Sequence, residues 1–155
     1  LVAKVKGSFS EFNVEANVDP ANLAASKATV IIDASTVSTR DENRDGHLRS
    51  ADFFDTENHP QIVFSTKKIS PKGGTDYAIT GDLTIRGVTK EVTFKGESAG
   101  PAGDPWGNQR ISISAETKVN RKDFGLNWNA AIEAGGFLVG DTVTLQLDAE
   151  LVKDV

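Results

Sequence analysis

The sequence predicts an all-β protein whose antiparallel strands follow one another as a meander and close into a barrel. Apolar and polar residues alternate with period two along most of the 155 residues, as they do in strands with one buried face. Short glycine-containing segments, such as 71–76 and 86–89, have the length of hairpin turns. No long amphipathic helix separates the alternating stretches, which favours a barrel over a parallel α/β sheet.

The strands can be placed in order along the chain. The first covers residues 4–18 and contains a bulge near Ser10 and Glu11, where the apolar face changes phase. The next five are rich in β-branched residues and end at Gly, Pro, Asp or Asn. They cover residues 26–38, 61–69, 77–87, 89–98 and 110–119. The last strand has the clearest alternation, with apolar residues at 143, 145, 147, 149 and 151, and is predicted to be half buried.

The predicted helices are short and lie in loops. The candidates are residues 20–27, 40–54 and 129–135, the last of which the Gly135–Gly136 pair would end. No repeat, low-complexity tract or linker divides the chain, so residues 1–155 are expected to form a single domain. At 16.5 kDa, such a domain buries roughly 70% of its unfolded surface, which is enough for a core.

Composition excludes several classes of function. The net charge is −5 and the basic residues are scattered among acids, which argues against a nucleic-acid partner. Without cysteine there is no disulfide framework, thiolate metal ligand or cysteine nucleophile. No apolar run approaches the ~18 to 20 residues of a membrane span. No cofactor motif is present, so no cofactor is expected. Because no leader is visible, a cytoplasmic location is preferred over a periplasmic or secreted one, with the N-terminus expected to be incomplete.

One motif could indicate nucleophilic catalysis. Residues 96–100, GESAG, satisfy the nucleophile-elbow pattern around Ser98. That motif requires a sharp turn from a strand into a helix and a nearby general base, whereas the residues that follow here, PAGDPWG, cannot start a helix. A glycine-rich turn is the preferred interpretation, and an esterase-type hydrolase using Ser98 is the least favoured function.

Two groups of residues could indicate a metal. Residues 41–52 place Asp and Asn at the first ligand positions of a calcium loop, but the loop closes with Asp52 instead of Glu and follows a strand instead of a helix. A solvated acidic helix is the better interpretation. His47 and His59 are near acidic residues, but their spacing fits no single face of a helix or strand. No metal site is predicted.

Aromatic residues on separate predicted strands would converge on one interior if the sheet closes. They are Phe9, Phe12, Phe64, Tyr77, Phe94, Phe124, Trp128 and Phe137. An eight-strand barrel is at the size where side chains either fill the centre or leave room for one ligand. The pattern leaves both outcomes open, and a filled core would indicate a structural or protein-interaction barrel.

Four segments in order carry a family resemblance: VKGSFSEF, RDGHLRSADFFDTENHPQIVF, DLTIRGVTKEVTF and NRKDFGLNWNAAIEAGGFLVGDTVTLQLDAEL. Together they resemble the YceI-like family of bacterial polyisoprenoid-binding proteins across the whole chain. The resemblance implies an extended lipocalin-like antiparallel barrel around a long apolar tunnel, and no catalytic activity. Family members usually begin with another strand ahead of KVKGSF, for which Leu1 leaves almost no room. If that strand is absent from the molecule, the final strand, 141–152, would lose a neighbour and the barrel would open along one seam.

The resemblance also implies a ligand and its contacts. The ligand would be an isoprenoid lipid, either a polyprenyl phosphate or pyrophosphate or an isoprenoid quinone, held by a carrier, reservoir or stress-related binding protein. The expected tunnel residues are Phe9, Phe12, Phe64, Ile79, Leu83, Phe94, Ile113, Phe124, Leu126, Trp128 and Leu145. An anionic head group at the mouth would meet Arg44, Arg49, Arg121 and Lys122. The sequence leaves open whether the protein forms a homodimer.

Overall fold

The computed structural model describes residues 4–130 and 139–153. Seven strands form one curled antiparallel sheet in the order β2-β3-β5-β6-β7-β8-β9, and β1 pairs separately with β4. The strands are β1 Ser8–Phe9, β2 Phe12–Asn17, β3 Lys27–Asp33, β4 Val37–Ser38, β5 Gln61–Gly73, β6 Asp76–Ile85, β7 Val88–Gly103, β8 Gln109–Asn120 and β9 Thr142–Val152. The helix α1 covers Glu42–Arg49, and 3₁₀ helices cover Leu23–Ala25, Ala34–Thr36 and Arg121–Phe124.

The predicted all-β, antiparallel fold is confirmed, and the sheet curls into a half-barrel. Among the described residues, β2 and β9 each have a strand neighbour on one side only, so the two edges face each other across an open seam. No helix in the described ranges is both long and apolar enough to cross a membrane.

The first predicted strand is broken instead of bulged. Residues 8–9 pair with β4, whereas residues 12–17 pair with β3 in the large sheet. The break is at Ser10 and Glu11, where the Glu11 carbonyl accepts from the Asp33 amide at 2.9 Å and the Glu11 amide donates to Thr36 Oγ1 at 3.3 Å. These bonds hold the chain where it passes from one sheet to the other.

The β6–β7 turn shows how the local sequence produces a hairpin. Arg86 and Gly87 have φ values of 50° and 72°, which is the pattern of a type I′ turn. Arg86 holds this uncommon conformation because its Nη1 donates to the carbonyls of Ala51 and Phe53, both at 2.6 Å. The turn is thereby attached to the segment that follows α1.

The helix α1 is shorter and more firmly anchored than the predicted 40–54 segment. Asp41 caps it by accepting from the amides of Asn43 and Arg44, both at 3.1 Å. Asp45 is buried and accepts from the amide and hydroxyl of Thr39 at 2.8 and 2.6 Å, and the hydroxyl bond lowers the pKa of Asp45. The predicted solvated helix is therefore partly buried, because the Asp45 carboxylate faces inward and accepts two hydrogen bonds from Thr39.

Two other local predictions differ from the structure. The predicted helix 20–27 is a single 3₁₀ turn at Leu23–Ala25. Most of the third predicted helix, residues 131–135, lies outside the described residues, as do Gly136 and Phe137. The segment 96–100 is part of β7 instead of a glycine-rich turn, because its residues pair with both β6 and β8. A side chain at Gly96 would crowd Ile79, since a Cβ would be 2.8 Å from Ile79 Cδ1.

Candidate ligand-binding cavity

The interior of the curled sheet is divided along its length into a packed half and a hollow half. The packed half lies beside α1 and the β6–β7 turn. Its buried side chains belong to one cluster that reaches the wall of the hollow half at Val30, Phe64, Phe94 and Ala115. The other members are Ala34, Phe53, Ile62, Leu83, Ile85, Phe124 and Leu126. The hollow half lies toward the β5–β6 turn and the ends of β2 and β9. The sequence left open whether the barrel is filled or hollow, and the structure contains one region of each kind.

The hollow half is a cavity with an empty volume of about 880 Å³, counted out to the solvent at its opening. Its accessible wall is apolar. The lining residues are Val14, Ala16, Val18, Leu23, Ser26, Lys27, Ala28, Val30, Phe64, Thr66, Ile69, Tyr77, Ile79, Phe94, Gly96, Glu97, Ser98, Ile113, Ala115, Leu147, Ala149 and Leu151. Because both edge strands contribute, the cavity lies beneath the open seam.

Two phenylalanines form the floor between the halves. Phe64 of β5 and Phe94 of β7 are each 7% exposed, and their rings meet edge to face with centroids 4.9 Å apart. Such pairs add to the stability that area burial provides. Gly81 of β6 makes room for this arrangement, since a Cβ there would be 2.8 Å from Phe64 Cζ. The floor is therefore a packed barrier that separates the cavity from the core.

Small residues directly opposite one another explain why this half is hollow. Ala16 pairs with Ala28 across β2 and β3, and Gly96 pairs with Ala115 across β7 and β8, all on the inner face. In the packed half the corresponding cross-strand pairs are large, as with Ile32 and Ile62. Replacing a large pair by a small pair removes side-chain volume from the interior, and the space remains because the backbone of a hydrogen-bonded sheet cannot collapse into it.

Polar groups on the cavity border are used by the backbone. Ser26 Oγ accepts from the Asp19 amide at 2.9 Å, and Thr66 Oγ1 accepts from the Ala28 amide at 2.9 Å. Among the described residues, the border includes one cation, Lys27, and one carboxylate, Glu97. The cavity can accept an apolar chain, with one residue of each charge at its border.

Ser98 lines the cavity, but the histidines that could activate it lie elsewhere. The Ser98 amide donates to the carbonyl of Thr75 at the β5–β6 turn, whereas the His59 ring packs against Gly87 in the β6–β7 turn. These positions are at opposite ends of the paired strands, roughly 35 Å apart for an extended chain. His47 is bonded to Asp52, with Nε2 and Oδ2 2.8 Å apart, beside α1. The described residues do not assemble a serine nucleophile with its base.

Residues 1–151 of the chain match the family model of the YceI-like domain. The chain belongs to the YceI-like family. A UPF0312 protein of Staphylococcus aureus strain USA300 is 40% identical over 151 residues, which are 97% of this chain and 85% of the relative. A UPF0312 protein of Staphylococcus epidermidis strain RP62A is 38% identical over 155 residues, 99% of this chain and 88% of the relative.

Solved structures agree with this membership. The crystal structure of the Campylobacter jejuni YceI protein matches with a TM-score of 0.86 at 28% identity, covering 100% of this chain and 88% of that one. Burkholderia cenocepacia BcnA matches with a TM-score of 0.81, covering 94% of this chain and 86% of that one. At 24% identity, the likeness to BcnA concerns the fold alone. The recognition of a YceI-like chain and its lipocalin-like fold is confirmed.

The residues predicted for the tunnel of this YceI-like chain are divided between the two halves. Four line the cavity: Phe64, Ile79, Phe94 and Ile113. Leu83, Phe124 and Leu126 lie in the buried cluster without lining the cavity, and the partly buried Phe9, Trp128 and Leu145 pack against that cluster. Phe12 is 53% exposed, although it shares a strand face with cavity residues. Phe12 is at the end of edge strand β2, where the seam leaves it uncovered.

The corner before β9 closes the packed end instead of lining the cavity. Phe124 is 2% exposed, and Leu126 is also buried. The Trp128 ring meets His47 and Phe53, with centroids 4.5 and 5.5 Å away. The period-two pattern correctly placed these apolar side chains inside, but it could not show at which end of the YceI-like barrel the corner packs.

The four predicted head-group cations lie at the packed end, away from the cavity opening. Arg121 is 5% exposed and donates to the carbonyls of Leu126, Trp128 and Gly140 at 2.6 to 2.9 Å. These bonds hold the corner in place, so Arg121 is a structural residue. Lys122 Nζ lies 3.4 Å from Asp141 Oδ1. The remaining two are Arg44, which bonds Thr39, and Arg49, both on α1.

Sequence reasoning concentrated on aromatic residues and missed much of the cavity wall. The missed residues include the small pairs and the inner face of β9, namely Leu147, Ala149 and Leu151. A signal for them was present, since the alternation of β9 identified that face.

Among the described residues, no group of three or more His, Asp or Glu side chains could hold a metal ion.

Proposed function

We propose that this YceI-like protein binds an isoprenoid lipid, with the apolar tail in the cavity and the head group at its opening. The observation that carries the proposal is the cavity with an apolar wall beneath the open seam. The ligand is a polyprenyl phosphate or pyrophosphate, or a quinone with an isoprenoid tail. The protein would act as a carrier, a reservoir or a stress-related binding protein, without catalysing a reaction on the lipid.

Burial of the tail supplies the driving force. At roughly 25 cal/mol per Å², a tail that removes some hundreds of Å² from water gains on the order of 10 kcal/mol before the costs of ordering are subtracted. The apolar wall offers the tail no polar group that would need a partner. Selectivity then comes from shape, because branched isoprene units must fit between the Phe64–Phe94 floor and the opening.

The floor limits how much of the tail can be enclosed. Along β9, the lining residues extend from Leu147 to Leu151, which corresponds to roughly 13 Å of strand. A few isoprene units fit within this length. The remainder of a longer tail would lie along the seam between β2 and β9, where the inner faces of both edge strands are apolar.

The position of the head group follows from the charged residues at the border. Lys27 begins β3 at the cavity edge and is the cation best placed to meet a phosphate or pyrophosphate. A quinone head would instead need only hydrogen-bond partners. Lys27→Ala should therefore weaken binding of a polyprenyl phosphate while leaving binding of an isoprenoid quinone unchanged.

Extraction of protein purified from its native host tests the proposal directly. Organic solvent should release an apolar lipid with an isoprenoid tail in near-stoichiometric amount, identified by mass spectrometry. Stripped protein should then rebind a defined polyprenyl phosphate or quinone. Protein that contains no lipid and binds neither compound would support a structural or protein-interaction barrel. Turnover of an ester that Ser98→Ala abolishes would support the hydrolase.

A further inference from the structure

The β7–β8 hairpin extends well beyond the strand on its other side. Pairing of β6 with β7 ends at Asp76 and Glu97, but β7 continues to Gly103, roughly 20 Å further. On the far side, β9 accompanies β8 to the pair of Arg110 and Val152, and the Lys153 amide donates to the Gln109 carbonyl at 3.0 Å. Residues 98–109 are here called the hairpin arm: its base lies at the opening of the cavity, its β7 edge extends past β6, and its tip, residues 104–108, extends past β9 as well.

The tip of the hairpin arm presents an apolar surface to solvent. Trp106 is 78% exposed, which is the largest exposure among the exposed large hydrophobic residues that the structure describes. Pro101, Ala102 and Pro105 are also exposed, and Val152 is 44% exposed beside the arm. A tryptophan held this far into water is uncommon in a soluble surface, because it forfeits the free energy of burying its indole.

The tip is ordered by a local network. Asp104 accepts from the amides of Trp106 and Asn108, both at 2.9 Å, and from Arg110 Nε at 2.6 Å. The Arg110 bond is the main reason that the pKa of Asp104 falls to about 2, so the carboxylate stays ionised at neutral pH. Because the turn is already fixed, presenting Trp106 to a partner costs little additional ordering.

We propose that the hairpin arm docks the cavity opening onto a lipid bilayer by inserting Trp106 into the membrane interface. Tryptophan favours that interface, since its ring is apolar and its N–H reaches the wet head-group region. The base of the arm contributes Ser98 to the cavity wall, and Ile113 on β8 lies opposite it. An apolar tail leaving a bilayer at the tip would follow the arm for roughly 20 Å to the cavity opening at its base.

The charge of the protein indicates which kind of lipid membrane the arm can bind. The chain carries a net charge of −5, and the one charged residue of the arm, Asp104, is neutralised by its ion pair with Arg110, which follows the arm in β8. An anionic membrane would therefore repel the protein instead of attracting it. The arm therefore binds a zwitterionic lipid surface by apolar insertion, and salt should not weaken this binding.

Tryptophan emission tests the insertion, using Trp128→Phe protein so that Trp106 is the reporter. Added phosphatidylcholine vesicles should shift the emission to shorter wavelength, and brominated acyl chains should quench it. An unchanged spectrum at saturating lipid would overturn the proposal. A shift that grows with protein concentration in the absence of vesicles would also overturn it, because it would indicate that a second copy covers the tip.

Co-sedimentation with the same vesicles supplies the matched comparison. Trp106→Ser should lower the partition coefficient at least about tenfold, since an indole burying roughly 100 Å² at ~25 cal/mol per Å² supplies more than that factor. Val143→Ser is the control, because Val143 is 40% exposed at the opposite end of β9, and it should partition like the parent. Equal partitioning of both variants, or binding that requires anionic lipid and disappears at high salt, would refute insertion by Trp106.

Membrane docking by Trp106 rests on the proposed function only in that it would deliver an isoprenoid lipid to the cavity. Docking and isoprenoid binding can therefore be tested separately. Stripped Trp106→Ser protein should rebind an isoprenoid lipid supplied in detergent as tightly as the parent does. Insertion without any isoprenoid binding would leave the docking intact and refute the proposed ligand. Isoprenoid binding without insertion of Trp106 would support the proposed ligand and refute the membrane docking.

Discussion

A pair of enlarging substitutions provides the sharpest test of the divided interior. Ile113 lines the hollow half and lies opposite Ser98 on β7 and Ala149 on β9. Leu83 is 3% exposed in the packed half and lies opposite Phe64. Both are branched aliphatic residues on inner strand faces. The sequence alone predicted the same environment for both, whereas the structure predicts opposite responses to added volume.

The expected magnitudes follow from the space around each side chain. Leu83→Phe inserts volume into close-packed surroundings and should lower the free energy of unfolding by ~1 to 3 kcal/mol. Ile113→Trp extends into the cavity and should change the free energy of unfolding by less than about 1 kcal/mol. The new indole displaces roughly three carbons of the tail, which at ~0.8 kcal/mol per buried CH₂ loses about 2 to 3 kcal/mol of binding, or roughly 30- to 150-fold in affinity.

Two measurements separate these effects. Urea unfolding gives the change in stability of each variant, and binding of isoprenoids of graded length gives the tail that each accepts. Ile113→Trp should shift the preference to shorter tails, whereas Leu83→Phe should leave the preference unchanged in the folded protein. If Ile113→Trp destabilises the protein as much as Leu83→Phe does and leaves the length preference unaltered, the interior is packed throughout and the reasoning is refuted.

Four further predictions follow. Trp128→Ala should lower the free energy of unfolding by about 2 to 4 kcal/mol through lost contacts with Phe53 and His47, and should leave tail binding unchanged, in contrast to the role in the tunnel that the sequence indicated; calorimetry and ligand titration check both parts. Arg121→Lys should cost about 2 to 3 kcal/mol in urea unfolding, because a lysine cannot replace the forked bonds to three carbonyls, and a loss below about 0.5 kcal/mol would contradict that role. The folded pKa of Asp104, about 2, is below its usual 3.8, so the stability from this carboxylate is present above pH 4 and lost as the pH falls toward 2; Trp106 anisotropy should decrease over that range, and Asp104→Asn should remove the transition. Millimolar calcium should leave the melting temperature within ~1 °C, because the Asp45 carboxylate is occupied by Thr39, and a rise of several degrees that Asp45→Ala removes would restore the calcium hypothesis.

Sequence alone was sufficient for the fold class and most strand positions. Period-two alternation and hairpin-length turns depend on residues close together in the chain, so β5 to β9 follow from local patterns within a few residues. The break at Ser10 and Glu11 could be located but not interpreted, because its bonds to Asp33 and Thr36 join distant segments. Family membership was also readable from the sequence, since several ordered motifs carried it.

Only the tertiary structure decided where the interior is hollow. Alternation identifies an inner face, but the space behind that face depends on which residues lie opposite on neighbouring strands. The partners in the pairs of Ala16 with Ala28 and Gly96 with Ala115 belong to different strands, and only the sheet register places them opposite each other. Likewise, Arg121 looked like an exposed cation until the carbonyls around it were placed. Cavities and buried charges arise from contacts between distant segments, and these contacts are what folding adds to the local pattern.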